Sequence, residues 1–181
     1  PPPDVVSPFT MISLQNAATS GDGSQNNPFH VDAVTWDVAI GFQEPNVNDP
    51  SVIDPSLVSN FVASDLRVVT AVTNTGVTVS DDVALVGIHG FGAGPRSNYV
   101  IGLRARGGQL GGCGDAVSLE LVVPAGAARD AEANLNLQSN AMHVMWIPGA
   151  AILPLCPPPP APPPPPLPPP PPPPPPPPTP P

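Results

Sequence analysis

Two cysteines, three histidines and fourteen carboxylates are the groups in this 181-residue chain whose types could support chemistry. His30, His89 and His143 stand too far apart to form an i, i+4 pair, and none neighbours a cysteine, so a zinc or histidine-base constellation is not expected. The chain contains no HExxH, GxSxG, DxDxDG or GxxxxGK[ST] pattern. It also contains no lysine, which removes Schiff-base and P-loop chemistry. The run Gly90-Phe91-Gly92-Ala93-Gly94-Pro95 has the composition of a phosphate cradle. A dinucleotide site needs a helix to follow it, whereas Arg96-Ser97-Asn98 leads into a strand pattern. Asp49 with Asp54, or Asp81 with Asp82, are the pairs that could share a calcium ion on a turn. Aspartate favours turns for its own hydrogen bonding, so solvated turn residues are the simpler reading. Nothing marks a glycosidase pair among three glutamates. The expectation is a protein that is not an enzyme, with no catalytic, cofactor or metal residue assigned.

Cys113 lies in the glycine-rich stretch Gly107-Gly108-Gln109-Leu110-Gly111-Gly112-Cys113-Gly114, and Cys156 immediately precedes the C-terminal prolines. An even count, a pliable loop and a junction position predict a Cys113–Cys156 disulfide that anchors the tail to the domain. The alternative is two unrelated thiols. Closing a loop of about 43 residues contributes on the order of 4 kcal/mol in the chain-entropy account. Such a bond implies an oxidising, extracellular setting. Net charge is −9, and Arg67, Arg96, Arg104, Arg106 and Arg129 are the five cations. That balance repels phosphate backbones and anionic membrane surfaces. No stretch approaches the roughly 20 apolar residues of a membrane span. The opening Pro1-Pro2-Pro3-Asp4, without an initiator Met, reads as a processed product or a piece of a longer polypeptide.

The elements that would position these groups are β-strands almost throughout. Trp36, Val38, Ile40 and Phe42 share one face of an alternating stretch from Val34 to Phe42. Further strands are predicted at Phe9–Leu14 (at an edge), Leu66–Thr73, Val77–Ser80, Val83–Ile88 and Tyr99–Ala105. Three more are expected at Val117–Val123, Asn134–Gln138 and Met142–Ile147. Ser56–Ala63 and Ala125–Ala133 could each form one helical turn. Dense turn signals at Ser20–Ser24, Glu44–Pro55 and Gly90–Pro95 separate the strands. The fold expected is all-β, an immunoglobulin-like two-sheet sandwich, with a jelly roll as the alternative. The organisation expected is a proline-containing segment over 1–8, the sandwich over 9–156 and a tail over 157–181.

In that tail only Ala161, Leu167 and Thr179 are not proline. Proline fixes φ and has no N–H, so the segment can join neither helix nor sheet. A polyproline II rod at about 3.1 Å per residue would reach roughly 75–80 Å. A β-rich module joined through Cys156-Pro157-Pro158-Pro159-Pro160 to such a run resembles the hydroxyproline-rich glycoproteins of green algae: pherophorins, extensin-like wall proteins and mastigoneme-type fibre proteins. The segment Val72-Thr73-Asn74-Thr75-Gly76-Val77-Thr78-Val79 is similar to a strand-turn-strand stretch of immunoglobulin-like repeats in large surface proteins. The first resemblance implies hydroxylation and O-glycosylation at Pro157, Pro158, Pro159, Pro160, Pro162, Pro163, Pro164, Pro165, Pro166, Pro168, Pro169 and Pro170, with Thr179 a further O-linked candidate. No N-x-[ST] sequon is present.

The function expected is a structural subunit of an extracellular fibre, wall or flagellar-surface assembly. Its partners would be further copies of itself in a head-to-tail homopolymer, together with glycans, and neither nucleic acid nor membrane insertion. Two alternatives are a stalked carbohydrate-binding or adhesive module and an intracellular proline-rich ligand of SH3-, WW- or profilin-type domains. Intact-mass and glycopeptide analysis of the native protein tests both covalent expectations together. A tail heavier than its sequence and a protein without free thiols are expected; an unmodified tail mass or two reactive thiols would refute them.

Overall fold

The period-2 patterns resolve into ten strands among the described residues. They are β1 (Phe9–Asn16), β2 (Ala18–Ser20), β3 (Phe29–Val31), β4 (Thr35–Pro45), β5 (Ile53–Pro55), β6 (Arg67–Thr73), β7 (Val83–Ile88), β8 (Asn98–Ala105), β9 (Val117–Val122) and β10 (Met142–Trp146). The computed structural model describes residues 6–16, 18–46, 48–88, 95–106 and 115–147. His89, Cys113, Cys156 and the proline run lie outside the described residues, and with them the disulfide, hydroxylation and O-glycosylation expectations.

Two five-stranded sheets face each other. One runs β1-β4-β8-β7, with β5 pairing β4; the other runs β2-β3-β10-β9-β6. Every pairing is antiparallel except β3 with β10, which is parallel. The inner faces are those the alternation indicated. Trp36, Val38, Ile40 and Phe42 of β4 meet Tyr99, Ile101, Leu103 and Ala105 of β8 on one side of the core. Val117, Leu119, Leu121 and Val123 supply the other side, with Met142, Val144 and Trp146. Each large side chain so buried contributes roughly 1.5–3 kcal/mol. Trp36 and Trp146 bridge the sheets edge to face at 5.6 Å, and Trp146 Nε1 donates to the Ala33 carbonyl.

The structure corrects several local expectations. Ser56–Val62 and Ala125–Ala133 are not helical, and only Ala63 of the expected Ser56–Ala63 turn enters a 3-10 turn: Val58, Ser59 and Arg129 lie in extended bridges instead. Among the described residues the helical pieces are two 3-10 turns, Ala63–Asp65 and Ser80–Asp82. Asn134–Gln138 is not a strand, and only Leu135 makes a bridge. Val77–Ser80 likewise contributes one bridge, Thr78 to Val72, before the 3-10 turn begins. In the last two cases polar side chains bond to nearby backbone, and that competes with a regular ladder. Thr73 Oγ1, for example, accepts from the Val77 N–H at 2.9 Å.

At one pole the bridges close the sandwich into a ring. From β4, Phe42 N–H donates to Ser97 O at 2.8 Å. Arg96 and Val58 then exchange bonds of 2.9 and 2.8 Å, and Ser59 and Arg129 exchange bonds of 2.7 and 3.2 Å. Asn136 N–H donates to Ala128 O, and Leu137 N–H to Pro8 O at 2.7 Å. Phe9 pairs back to Gln43 on β4, which completes the circuit. Closure matters because an open sheet edge offers unpaired N–H and C=O groups to other chains.

Two asparagines hold this ring. Asn136 is buried; its Oδ1 accepts from Ala128 N–H at 2.7 Å, and its Nδ2 donates to Thr10 Oγ1, Pro124 O and Leu137 O. Asn140 acts as a surrogate strand residue. Its Oδ1 accepts from Ile12 N–H at 2.9 Å while its Nδ2 donates to Ile12 O at 3.1 Å, so its amide occupies the outer edge of β1. Asn136→Ala should cost about 3 kcal/mol in urea unfolding, because it strands several buried polar groups. Asn140→Ala, at a water-accessible edge, should cost about 1 kcal/mol and increase self-association. Equal, small losses at both positions would show that neither amide holds the ring.

Candidate functional site

A candidate site among the described residues lies on the outside of this ring. The segment Ser56-Leu57-Val58-Ser59 alternates like a strand: Val58 is fully buried, while Leu57 points outward and is 57 % exposed. Pro95, Arg96, Ser97 and Asn98 run beside it and, with Leu57, line a depression of about 320 Å³. A smaller one of about 130 Å³ lies against the same Leu57 and Pro95, and Ser59, Asp130 and Ala131 complete it. The two share Leu57 and Pro95 as lining and are taken together as one shallow, open groove.

Beneath the groove the wall is packed with aromatic rings. Tyr99 is 6 % exposed, and its hydroxyl donates to the Val58 carbonyl at 3.0 Å. Its ring packs with Phe42 at 5.8 Å and Phe61 at 4.9 Å, and Phe42 meets Phe61 at 5.3 Å. Such aromatic pairs add about 0.5–1.5 kcal/mol each beyond area burial. Burial raises the Tyr99 phenol above its ordinary range, opposed in part by the positive charge and backbone of Arg96. The Asp130 carboxylate, although it borders the groove, is turned to its own loop. It accepts from Asn134 N–H at 2.8 Å and Asn134 Nδ2 at 2.9 Å. Those bonds hold Ala133 at a φ of 68°, a left-handed conformation that side-chain-bearing residues rarely adopt. The chemistry the groove offers is apolar contact from Leu57 and Pro95, and hydrogen-bond donation from Arg96, Ser97 and Asn98.

The other chemical candidates are dispersed. His30 lies on β3 and His143 on β10, where the His143 backbone N–H donates to Gly23 O at 2.9 Å. Asp49 lies in the connection between β4 and β5, and Asp54 on β5. Asp49 Oδ1 accepts from Ser51 Oγ and N–H, which hold its carboxyl below the usual range, and Asp54 Oδ2 accepts from Asn46 Nδ2 at 2.6 Å. Asp81 and Asp82 sit in the 3-10 turn before β7. Among the described residues no three of His, Cys, Asp or Glu converge to hold a metal ion. The sequence reading did not single out Leu57, Asn98 or Asp130. The available signal was the in-out alternation Leu57-Val58-Ser59 within a stretch otherwise read as turn.

No protein-family description matches this chain, and no curated protein or solved structure is similar to it.

Tyr99→Phe should cost about 1 kcal/mol by removing one of the two donors to the Val58 carbonyl, which keeps the Arg96 N–H. In the parent protein the raised phenol has a definite sign. Its contribution is intact below about pH 10, the ordinary tyrosine value, and is lost as pH rises through the higher folded value. Urea midpoints from pH 9 upward should therefore converge for parent and variant. A constant gap across that range would mean that Tyr99 does not titrate with unfolding.

Proposed function

We propose that this chain is a structural subunit of an extracellular glycoprotein fibre or wall, built from an immunoglobulin-like domain and a glycosylated polyproline rod. The observation that carries this reading is the path of the chain. Pro8 enters at the ring pole, where Phe9 pairs with Gln43. β10 leaves at the opposite pole, where Trp146 pairs with Val117 and Ile147 N–H donates to Val31 O. A domain entered at one pole and left at the other suits a string of units. With β4 at 11 residues, one unit spans about 36 Å at 3.3 Å per strand residue.

The immunoglobulin-like reading is supported by strand order. Taking β1, β4, β6, β7, β8, β9 and β10 as strands A to G gives A-B-E-D in one sheet and C-F-G in the other. β2 and β3 lie outside this seven-strand scheme and extend the second sheet, where β3 runs parallel beside β10. Within a jelly roll these neighbours would differ. The sugar-binding alternative draws less support, because Trp36 and Trp146 are buried rather than displayed as stacking platforms.

Head-to-tail contact between copies is part of this proposal, since such heterologous contacts generate open filaments. Removing residues 157–181 should leave the circular-dichroism spectrum and urea midpoint of the domain unchanged and abolish polymers in sedimentation velocity. A truncated chain that assembles as readily as the full one would overturn the tail's role.

A further inference from the structure

We propose that the groove astride Leu57 and Pro95 docks the proline run Pro168–Pro178 of a second copy of the chain. The inference rests on the fibre reading above and names the surface through which it would operate.

Three observations select this occupant. The first is hydrogen-bond chemistry. A proline run has no N–H to donate and presents a carbonyl at every residue, so it needs a surface of donors and apolar contacts. The groove supplies Leu57 and Pro95 for the rings and the side chains of Arg96, Ser97 and Asn98 for the carbonyls, which together carry more donors than the Nδ2–H that Asn98 gives to Ser97 Oγ at 3.1 Å. The carboxylate that lines it, Asp130, accepts from Asn134 N–H and Nδ2.

The second is charge. Each chain carries a formal net charge of −9, so domain-to-domain contact between copies is opposed by repulsion. Residues 148–181 contain no charged side chain, and Arg96 places a cation in the groove. A neutral rod is the part of this chain that can approach an acidic copy without that penalty.

The third is reach and direction. Thirty-four residues follow Ile147 in the sequence, and they start from the pole opposite the ring. The 11-residue run Pro168–Pro178 extends about 34 Å at 3.1 Å per residue, close to the length of one sandwich. Reaching the chain's own groove would require reversing direction, whereas reaching that of the next copy continues it. A three-fold rod that docks by one face leaves its other faces open to hydroxylation and glycans.

The test uses the full chain carrying Thr179→p-benzoylphenylalanine, prepared as an equal mixture of ¹⁴N and ¹⁵N protein and irradiated. Cross-links are expected within residues 56–59 and 95–98, with mixed-isotope pairs prominent. In parallel, a fluorescent peptide of sequence 157–181 is titrated with the full chain. Leu57→Asp should weaken peptide binding and reduce the cross-link at least tenfold, whereas Val69→Asp, an exposed change on β6, should leave both within twofold. Both positions are about half exposed or more, and circular dichroism verifies that each variant is folded. Cross-links confined to one isotope would assign the groove to the chain's own tail and overturn the proposal. Polymers whose cross-links fall elsewhere, or peptide binding indifferent to Leu57→Asp, would overturn the groove while leaving the fibre reading intact. Leu57-dependent peptide binding by a chain that never polymerises would uphold the groove and sink the fibre reading.

Discussion

The buried amide of Asn136 is the interaction on which one end of this molecule depends. Four hydrogen bonds from one side chain tie together β1, the stretch after β9 and the return toward β10. A buried polar group that is fully satisfied is directional, and it specifies a unique neighbour arrangement that apolar packing alone would not. Here it fixes where residues 128–137 lie, and therefore where Arg129 meets Ser59 and Val58 meets Arg96. The aromatic group of Phe42, Phe61 and Tyr99 fills the space inside the resulting ring. Tyr99 then ties that filling to the wall through Val58.

The groove follows from the same constraint. Segment 56–59 must run extended to bridge Arg96 on one side and Arg129 on the other. Extended backbone alternates, so burying Val58 obliges Leu57 and Ser59 to face out. An exposed leucine is unremarkable by itself. This one lies against Pro95 on a wall where Val58 is paired with Arg96 and Ser59 with Arg129. Leu135 and Leu137, also outward on the ring at 45 % and 53 % exposure, extend the apolar character of that wall.

The long strands were legible from alternation because their inner faces are nearly pure hydrocarbon. Val38, Ile40, Ile101, Leu103, Leu119 and Leu121 announce themselves at period 2, and all are buried. The ring was not legible. Its closing segments are single bridges, too short for a period, and their register is set by side chains acting at a distance in sequence. Asn136 reaches Thr10 and Asn140 reaches Ile12, separations of 126 and 128 residues. No local pattern at Asn140 marks it as a surrogate strand residue. β5 was equally hidden, since Asp54-Pro55 reads as a turn, yet Pro55 sits on a short piece paired only to β4. Leu57 and Asn98 acquire their meaning only once Arg96 and Val58 are paired.

The distribution of blunted edges bears on how copies could meet. β1 is covered over Thr10–Ile12 by Leu137 and Asn140. β7 carries an irregularity between Leu85 and Ile88, with Gly87 at a φ of 79° that twists the strand away from a flat ladder. β6 has a register shift between Val68 and Thr70, and its far half is capped by Val79 N–H donating to Ala71 O. β2 is only three residues long. Edge-to-edge growth of either sheet would need a regular run of unpaired backbone groups, and each of these strands interrupts it. Contacts made by side chains at the poles carry no such obstacle. They also align with the direction in which the chain enters and leaves the domain. A fold whose sheet edges are interrupted, and whose described chain enters at one pole and ends at the other, leaves contact between copies to side chains rather than to backbone ladders.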